Sequence, residues 1–184
     1  MLSADLKTPR LVLSCLDSVQ VTDAYREWMS DPEVTRFLET RFSTPDLDSL
    51  RDYVSAMRDS KNQYLFGLFL LDTGAHIGNI KLGPVSSVHR RAAIGLIIGD
   101  KSAWGHGYAS EAIAAVTDWA FTELNLDKLS AGSYQSNQGS IRAFQRNGYR
   151  IEGIQRSHVQ LADGGRDDVV VLGRTRTDDS EGTS

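Results

Sequence analysis

Gly105-His106-Gly107, between an apolar run and a helical stretch, is where residue type and spacing first suggest chemistry. Glycine lets the backbone come close to a ligand. The first turn of a helix offers unpartnered N–H groups at the positive end of its dipole. An apolar strand over 94–99, a loop over 100–107 and a helix opening Tyr108-Ala109-Ser110-Glu111-Ala112 would therefore form an anion site suited to a phosphate or diphosphate. A plain turn with a helix cap would use the same glycines. Two better-known phosphate motifs do not fit. The pattern G-x-x-x-x-G-K-[ST] does not occur, and counting from Gly105 the last glycine of a G-x-G-x-x-G fingerprint is replaced by Ser110. The histidines (His76, His89, His106 and His158) show no close ligand spacing and no interleaved carboxylates, so no metal site is expected.

The elements that would carry this loop read β, α, α, β, β, β, α, β, α, β, β. A strand covers 10–16, followed by a helical stripe of Val21, Tyr25, Trp28 and Met29 with a cap at Asp17 or Ser18. Pro32 suits a first helical position, and Thr44-Pro45 opens a helix with the stripe Leu47, Leu50, Val54 and Met57. Strands follow over 64–71, 76–85 and 91–99, joined tightly enough for antiparallel hairpins. After the glycine loop come a helix striped by Ala109, Ile113, Val116 and Ala120, a strand over 128–134 and a helix over 138–147 ending at Gly148. Strands over 149–160 and 166–174 close the chain. The polar segment 175–184 is expected to be disordered, which leaves 1–174 as a single domain. In the strand 76–82, Ile77, Asn79 and Lys81 are expected on one face, where Asn79 and Lys81 interrupt apolar residues and would need polar partners.

Composition narrows the class. The chain has 184 residues, a net charge of −4 and one cysteine, Cys15, expected to be a buried core residue. No signal peptide or apolar span is evident, so a soluble cytoplasmic protein is expected, without a membrane partner. The mild negative charge argues against nucleic acid as a partner.

Trp104-Gly105-His106-Gly107-Tyr108-Ala109-Ser110-Glu111-Ala112 resembles the acetyl-CoA diphosphate loop of the GNAT superfamily of N-acetyltransferases, which reads Q/R-x-x-G-x-G/A. It is especially similar to the branch of ribosomal-protein, spermidine and sugar-nucleotide amine acetyltransferases. Asn137, Ser140, Ile141, Phe144, Gly148, Tyr149, Glu152 and Gly153 resemble a second block of that branch, at the right distance. The resemblance spans residues 8–174. It implies an α/β (α+β) GNAT fold: a mixed, mostly antiparallel sheet of about seven strands with helices on both faces.

The resemblance also implies roles. Acetyl-CoA, the cosubstrate, would enter a gap between the strands at 94–99 and 128–134, with no metal. Leu96, Ile97 and Ile98 would meet its pantetheine arm. Trp104, Gly105, His106, Gly107, Tyr108, Ala109 and Ser110 would form the diphosphate loop, and Asn137, Ser140 and Phe144 would complete the coenzyme site. Arg142 and Arg146 are either further phosphate contacts or surface residues. Relatives place a tyrosine acid seven residues after the asparagine, where this chain has Phe144. Ser140 is then the candidate acid and His89 the candidate base, and Glu111 is read as structural. Trp28, Asn79, Lys81 and Tyr134 are the candidate acceptor residues. The acceptor is expected to be a small-molecule primary amine, first an amino sugar on a nucleotide carrier, then a protein N-terminus or a polyamine. A homodimer is compatible with this reading. A non-catalytic acyl-CoA-binding module is the alternative of another class.

Overall fold

The apolar runs pair into one sheet in the order β1-β2-β3-β4-β5-β6-β8-β7, in a computed structural model that describes residues 5–43 and 45–179. The strands are β1 (Leu6–Lys7), β2 (Leu11–Cys15), β3 (Tyr64–Leu70), β4 (His76–Leu82), β5 (Arg91–Ile98), β6 (Lys128–Tyr134), β7 (Arg150–Gln160) and β8 (Arg166–Thr175). All neighbours are antiparallel except β5 and β6, which are parallel. This is the expected GNAT architecture with one more strand. The addition, β1, has only two residues, too few to show a period in the sequence.

Helices cover both faces. The long α4 (Tyr108–Thr122) and α5 (Gln138–Gln145) lie on one side, where Ile113, Val116, Phe144, Leu13, Phe66, Ile80 and Leu129 share a core. On the other side α1 (Asp23–Ser30) and α3 (Leu47–Asp59) bury Tyr25, Met29, Leu50 and Val54 against Leu16 and Leu65. Between them runs the four-residue α2 (Pro32–Thr35), with Pro32 in its first turn.

Several local expectations are corrected. Asp17 caps a 3-10 turn over Ser18–Gln20, while Thr22 caps α1. Asp46 caps α3, and Thr44 lies outside the described residues. Cys15 is exposed, because it ends β2, beyond the covered pair Leu11 and Leu13. The polar segment after Arg174 is structured as far as Asp179. Arg176 donates to the Leu126 carbonyl and the Asn125 side chain, holding it against the sheet. Residues 180–184 lie outside the described residues.

A bulge corrects the reading of β4. Leu68 pairs with Gly78 and Phe69 with His76, leaving Ile77 as the extra residue. Ile77 joins the core under α4, whereas Asn79 pairs with Ile97 on the face of α1 and α3. His76 and Asn79, three residues apart, thereby share a face that a regular strand would deny them. The His76 ring lies between Phe69 (4.7 Å), Trp28 (5.0 Å) and Tyr25 (6.0 Å). Its Nε2 sits 2.9 Å from both Asn79 Oδ1 and the Gly78 carbonyl. Two acceptors at one nitrogen require that nitrogen to carry the proton.

Burial holds the His76 imidazole below its ordinary 6.5, against the opposing effect of the hydrogen bonds to Asn79 and Gly78. Protonation therefore favours the unfolded chain. The stability this neutral ring contributes is complete above the unfolded pKa and is lost as pH falls through it towards the folded pKa. Urea midpoints should fall between about pH 7.5 and 5, and less steeply in His76→Phe. Equal slopes in the two proteins would contradict this.

Candidate active site

β5 and β6 pair over only three positions, Arg91–Ala93 against Lys128–Ser130. This end is held shut: the Arg90 carbonyl accepts from the Asp127 and Lys128 amides, and the Arg90 guanidinium pairs with Asp127 at 3.0 Å. Beyond it each strand stays with its outer neighbour, β5 with β4 and β6 with β8, and the sheet opens into a V. The cleft is about 590 Å³ and runs from the loop before α4 to the residues just after α2.

Antiparallel pairs alternate in hydrogen bonding, and the Gly83 amide donates to the Ala93 carbonyl. By that alternation the backbone groups of Ile97 turn to Asn79, while those of Leu96 and Ile98 turn into the V. The Ile98 carbonyl is taken by the Trp104 indole N–H at 2.8 Å. Leu96 is left as a backbone edge without a partner among the described residues. Gly78 makes this geometry possible, since a Cβ there would stand 2.2 Å from the Ile97 carbonyl oxygen.

The loop before α4 turns on Gly105 (φ 80) and Gly107 (φ 84), left-handed conformations that favour glycine. Asp100 caps the 3-10 turn Lys101–Ala103 that leads into it. α1, α2, α3 and α5 each receive a side-chain cap, from Thr22, Asp31, Asp46 and Asn137. Only α4 begins with no side-chain cap, on Gly107. Its first helical hydrogen bond runs from the Glu111 amide to the Gly107 carbonyl. The amides of Gly107, Tyr108, Ala109 and Ser110 have no acceptor among the described residues, and all four residues line the cleft. Arg142 and Arg146 line it too. A row of free amides, a helix dipole and two guanidinium groups fit a diphosphate.

Opposite this cradle, Asn137 caps α5 through the Ser140 amide at 3.2 Å, and Ser140 lines the cleft. Phe144 is buried edge-on to Tyr149 at 5.0 Å. The Tyr149 hydroxyl is shared with Thr117, and burial pushes its pKa up to about 12. Neither ring can supply a proton to the cleft. Among the described residues, the hydroxyls of Tyr108 and Ser140 are the two lining the cleft that make no hydrogen bond within the protein.

At the other end Val34, Arg36, Phe37, Leu38 and Tyr134 line the opening. The Tyr134 hydroxyl donates to Glu39 at 2.9 Å and accepts from Arg41 at 2.6 Å. Burial and the Glu39 contact raise its pKa above the ordinary value, against Arg41. Glu33 is tied to Lys101 at 3.2 Å. Arg36 lies over the Phe37 ring at 4.6 Å and has no ion pair among the described residues.

Most of the residues singled out in the sequence line this cleft: Leu96, Ile97, Ile98, Trp104, Gly105, Gly107, Tyr108, Ala109, Ser110, Tyr134, Asn137, Ser140 and Phe144. Five do not. His106 is exposed, with its carbonyl facing Arg10. His89 sits in the exposed turn before β5, beyond the shut end of the V, and the strand from Arg91 to Leu96 alone spans about 16 Å. Trp28 packs on His76 and fills the space over Gly99, where a Cβ would meet its ring at 2.2 Å. Asn79 is buried behind Ile97, and Lys81 sits beyond it, opposite Gly95. The sequence reading missed Arg36, Phe37 and Leu38, which follow a helix too short to show a period.

A split sheet with an open helix start beside it is an arrangement that could receive a diphosphate-bearing carrier. Residues 10–150 match the acetyltransferase (GNAT) domain family, and the chain belongs to that family of N-acetyltransferases. It is 30% identical over 156 residues to the uncharacterized N-acetyltransferase p20 of Bacillus licheniformis, covering 83% of this chain and 86% of that protein. It is 34% identical over 80 residues to the spermidine N(1)-acetyltransferase of Escherichia coli, covering 44% of this chain and 42% of that one. The spermidine N-acetyltransferase of Vibrio cholerae, solved with CoA and spermine, shares the fold at a TM-score of 0.83 and 19% identity, over 93% of this chain and 98% of that one.

Gly107→Ala forces a side chain into a left-handed position, which costs roughly 1–2 kcal/mol, and turns the amides from their aim. Calorimetry should show CoA binding weakened about tenfold. An unchanged dissociation constant would show that the loop does not hold the coenzyme.

Proposed function

We propose that the protein transfers an acetyl group from acetyl-CoA to the primary amine of an anionic small molecule, of the kind of an amino sugar on a nucleotide carrier. The observation that carries the donor half is the uncapped start of α4. Its free amides and the flanking Arg142 and Arg146 match the diphosphate of CoA. Bound there, acetyl-CoA supplies an activated acyl group. The free backbone edge at Leu96 would orient the pantetheine arm and offer an N–H to the acyl oxygen.

The acceptor half rests on charge at the opening. Glu33 shares Lys101 with Asp31, at 3.2 and 2.7 Å, and Glu39 lies 3.8 Å from the buried Arg41. Arg36 lines the opening with no ion-pair partner among the described residues. A polyamine would meet it unfavourably, whereas a phosphate-bearing amine would be held by it. Arg36, and not Lys81, is the acceptor-side cation of this reading.

An amine with a pKa of about 10 must shed a proton near neutral pH. With His89 remote, this reading leaves that proton to water in the cleft. Ser140 is the residue we assign to returning a proton to the departing thiolate, because its hydroxyl is uncommitted and Phe144 has none.

Thiol release should be fastest with amino-sugar nucleotides in a panel that also holds polyamines and N-terminal peptides. Arg36→Glu should raise the acceptor KM about tenfold with little change in that for acetyl-CoA. Turnover of spermidine alone would overturn the anionic acceptor, and no release with any amine would favour a binding module. Ser140→Ala should lower kcat about 100-fold with CoA affinity unchanged. Full kcat in that variant would remove Ser140 from the chemistry.

A further inference from the structure

Arg10 precedes β2 and does not line the cleft, yet its side chain reaches the cradle from behind. Its Nη1 donates to the His106 carbonyl at 2.9 Å. Its Nε and Nη2 meet Glu111 Oε2 at 2.7 and 2.6 Å, and its own amide donates to Oε1 at 2.9 Å. The Thr8 hydroxyl also donates to Oε1, at 2.6 Å. The guanidinium lies over the Tyr108 ring at 4.6 Å. The Arg10 carbonyl accepts from Leu71, so the residue belongs to the far half of the sheet.

We propose that Arg10 is a positioning residue for the diphosphate site, setting both the aim of the α4 amides and the charge behind them. The proposal rests on the coenzyme reading above. Aim follows from peptide geometry. Among the described residues the one cis peptide bond is Gly83-Pro84, so the bond from His106 to Gly107 is trans. In a trans peptide the carbonyl of one residue and the N–H of the next point in opposite directions. Holding the His106 carbonyl on Arg10, behind the loop, turns the Gly107 N–H forward into the cleft.

Charge follows from Glu111, which stands in the first turn of α4 with its carboxylate largely covered. Burial works to raise its pKa, and the bonds from Thr8 and Arg10 outweigh that and hold it low. Glu111 is therefore an anion at neutral pH, one helical turn from amides that must receive another anion. The Arg10 guanidinium cancels it. Without Arg10 that carboxylate would oppose the diphosphate, and the His106 peptide would be free to turn. Arg10 would touch no ligand atom, so its effect falls on coenzyme affinity and not on the chemical step.

The test is calorimetry of CoA binding to the full chain, with thermal midpoints recorded alongside. Arg10→Gln should weaken CoA binding about tenfold. Arg10→Gln with Glu111→Gln should recover part of that loss, because the uncovered charge is then gone. S-acetylpantetheine, a donor without the diphosphate, should be used with the same kcat/KM by wild type and Arg10→Gln. Unchanged CoA affinity in Arg10→Gln overturns the proposal. So does an equal loss with both donors, which would mark a general structural role. Failure of the wild-type protein itself to bind CoA would instead overturn the coenzyme reading on which this one stands.

Discussion

The backbone amides of Gly107, Tyr108, Ala109 and Ser110 have no acceptor in the described protein, and an N–H shut away without a partner costs about 1–3 kcal/mol. The fold does not shut them away. It spends no side chain on capping α4, though it caps the other four helices, and leaves this end open to a cleft. Everything that makes the cleft follows from keeping those groups open. β5 and β6 part after Ala93, Gly105 and Gly107 let the loop turn without side chains in the way, and Trp104 takes up the Ile98 carbonyl at the edge.

The split depends on pairing elsewhere. Eight strands in one sheet hold two halves together through three parallel pairs and the Arg90–Asp127 closure. Each half keeps its own ladders, and the two faces of the sheet are covered by different helices. α4 and α5 lie on the side of the main core, and α1 and α3 on the other. The opening is shaped by the second group, since the chain between α2 and α3 brings Phe37 and Arg41 to Tyr134, with the Leu38 carbonyl accepting from Arg41.

How much of this was legible in the sequence differed by element. The cleft wall proposed to hold the coenzyme was legible because its signal is local: Trp104 to Ala112 is one continuous run, and Asn137 to Gly153 repeats a spacing set by one helix and its cap. The acceptor side is assembled from segments far apart in the chain. Asn79 and Lys81 seemed to point into it, but the bulge at Ile77 and the position of Ile97 put Asn79 behind the cleft wall. A one-residue bulge leaves no mark in a run of apolar residues. His89 looked available because it can titrate near neutral pH, yet only the register of β5 against β6 reveals that its turn lies at the shut end. Arg36 and Phe37 carried no pattern, since a four-residue helix is shorter than the period that would reveal it.

The central claim is that the open amides at the start of α4 receive the CoA diphosphate, and amide NMR reads those groups directly. In a titration of the 15N-labelled protein with CoA, the largest shift changes should fall on Gly107, Tyr108, Ala109 and Ser110, with smaller ones at Leu96 and Ile98. Saturable binding that leaves these four amides unmoved, with the changes gathered elsewhere on the sheet, would contradict the account.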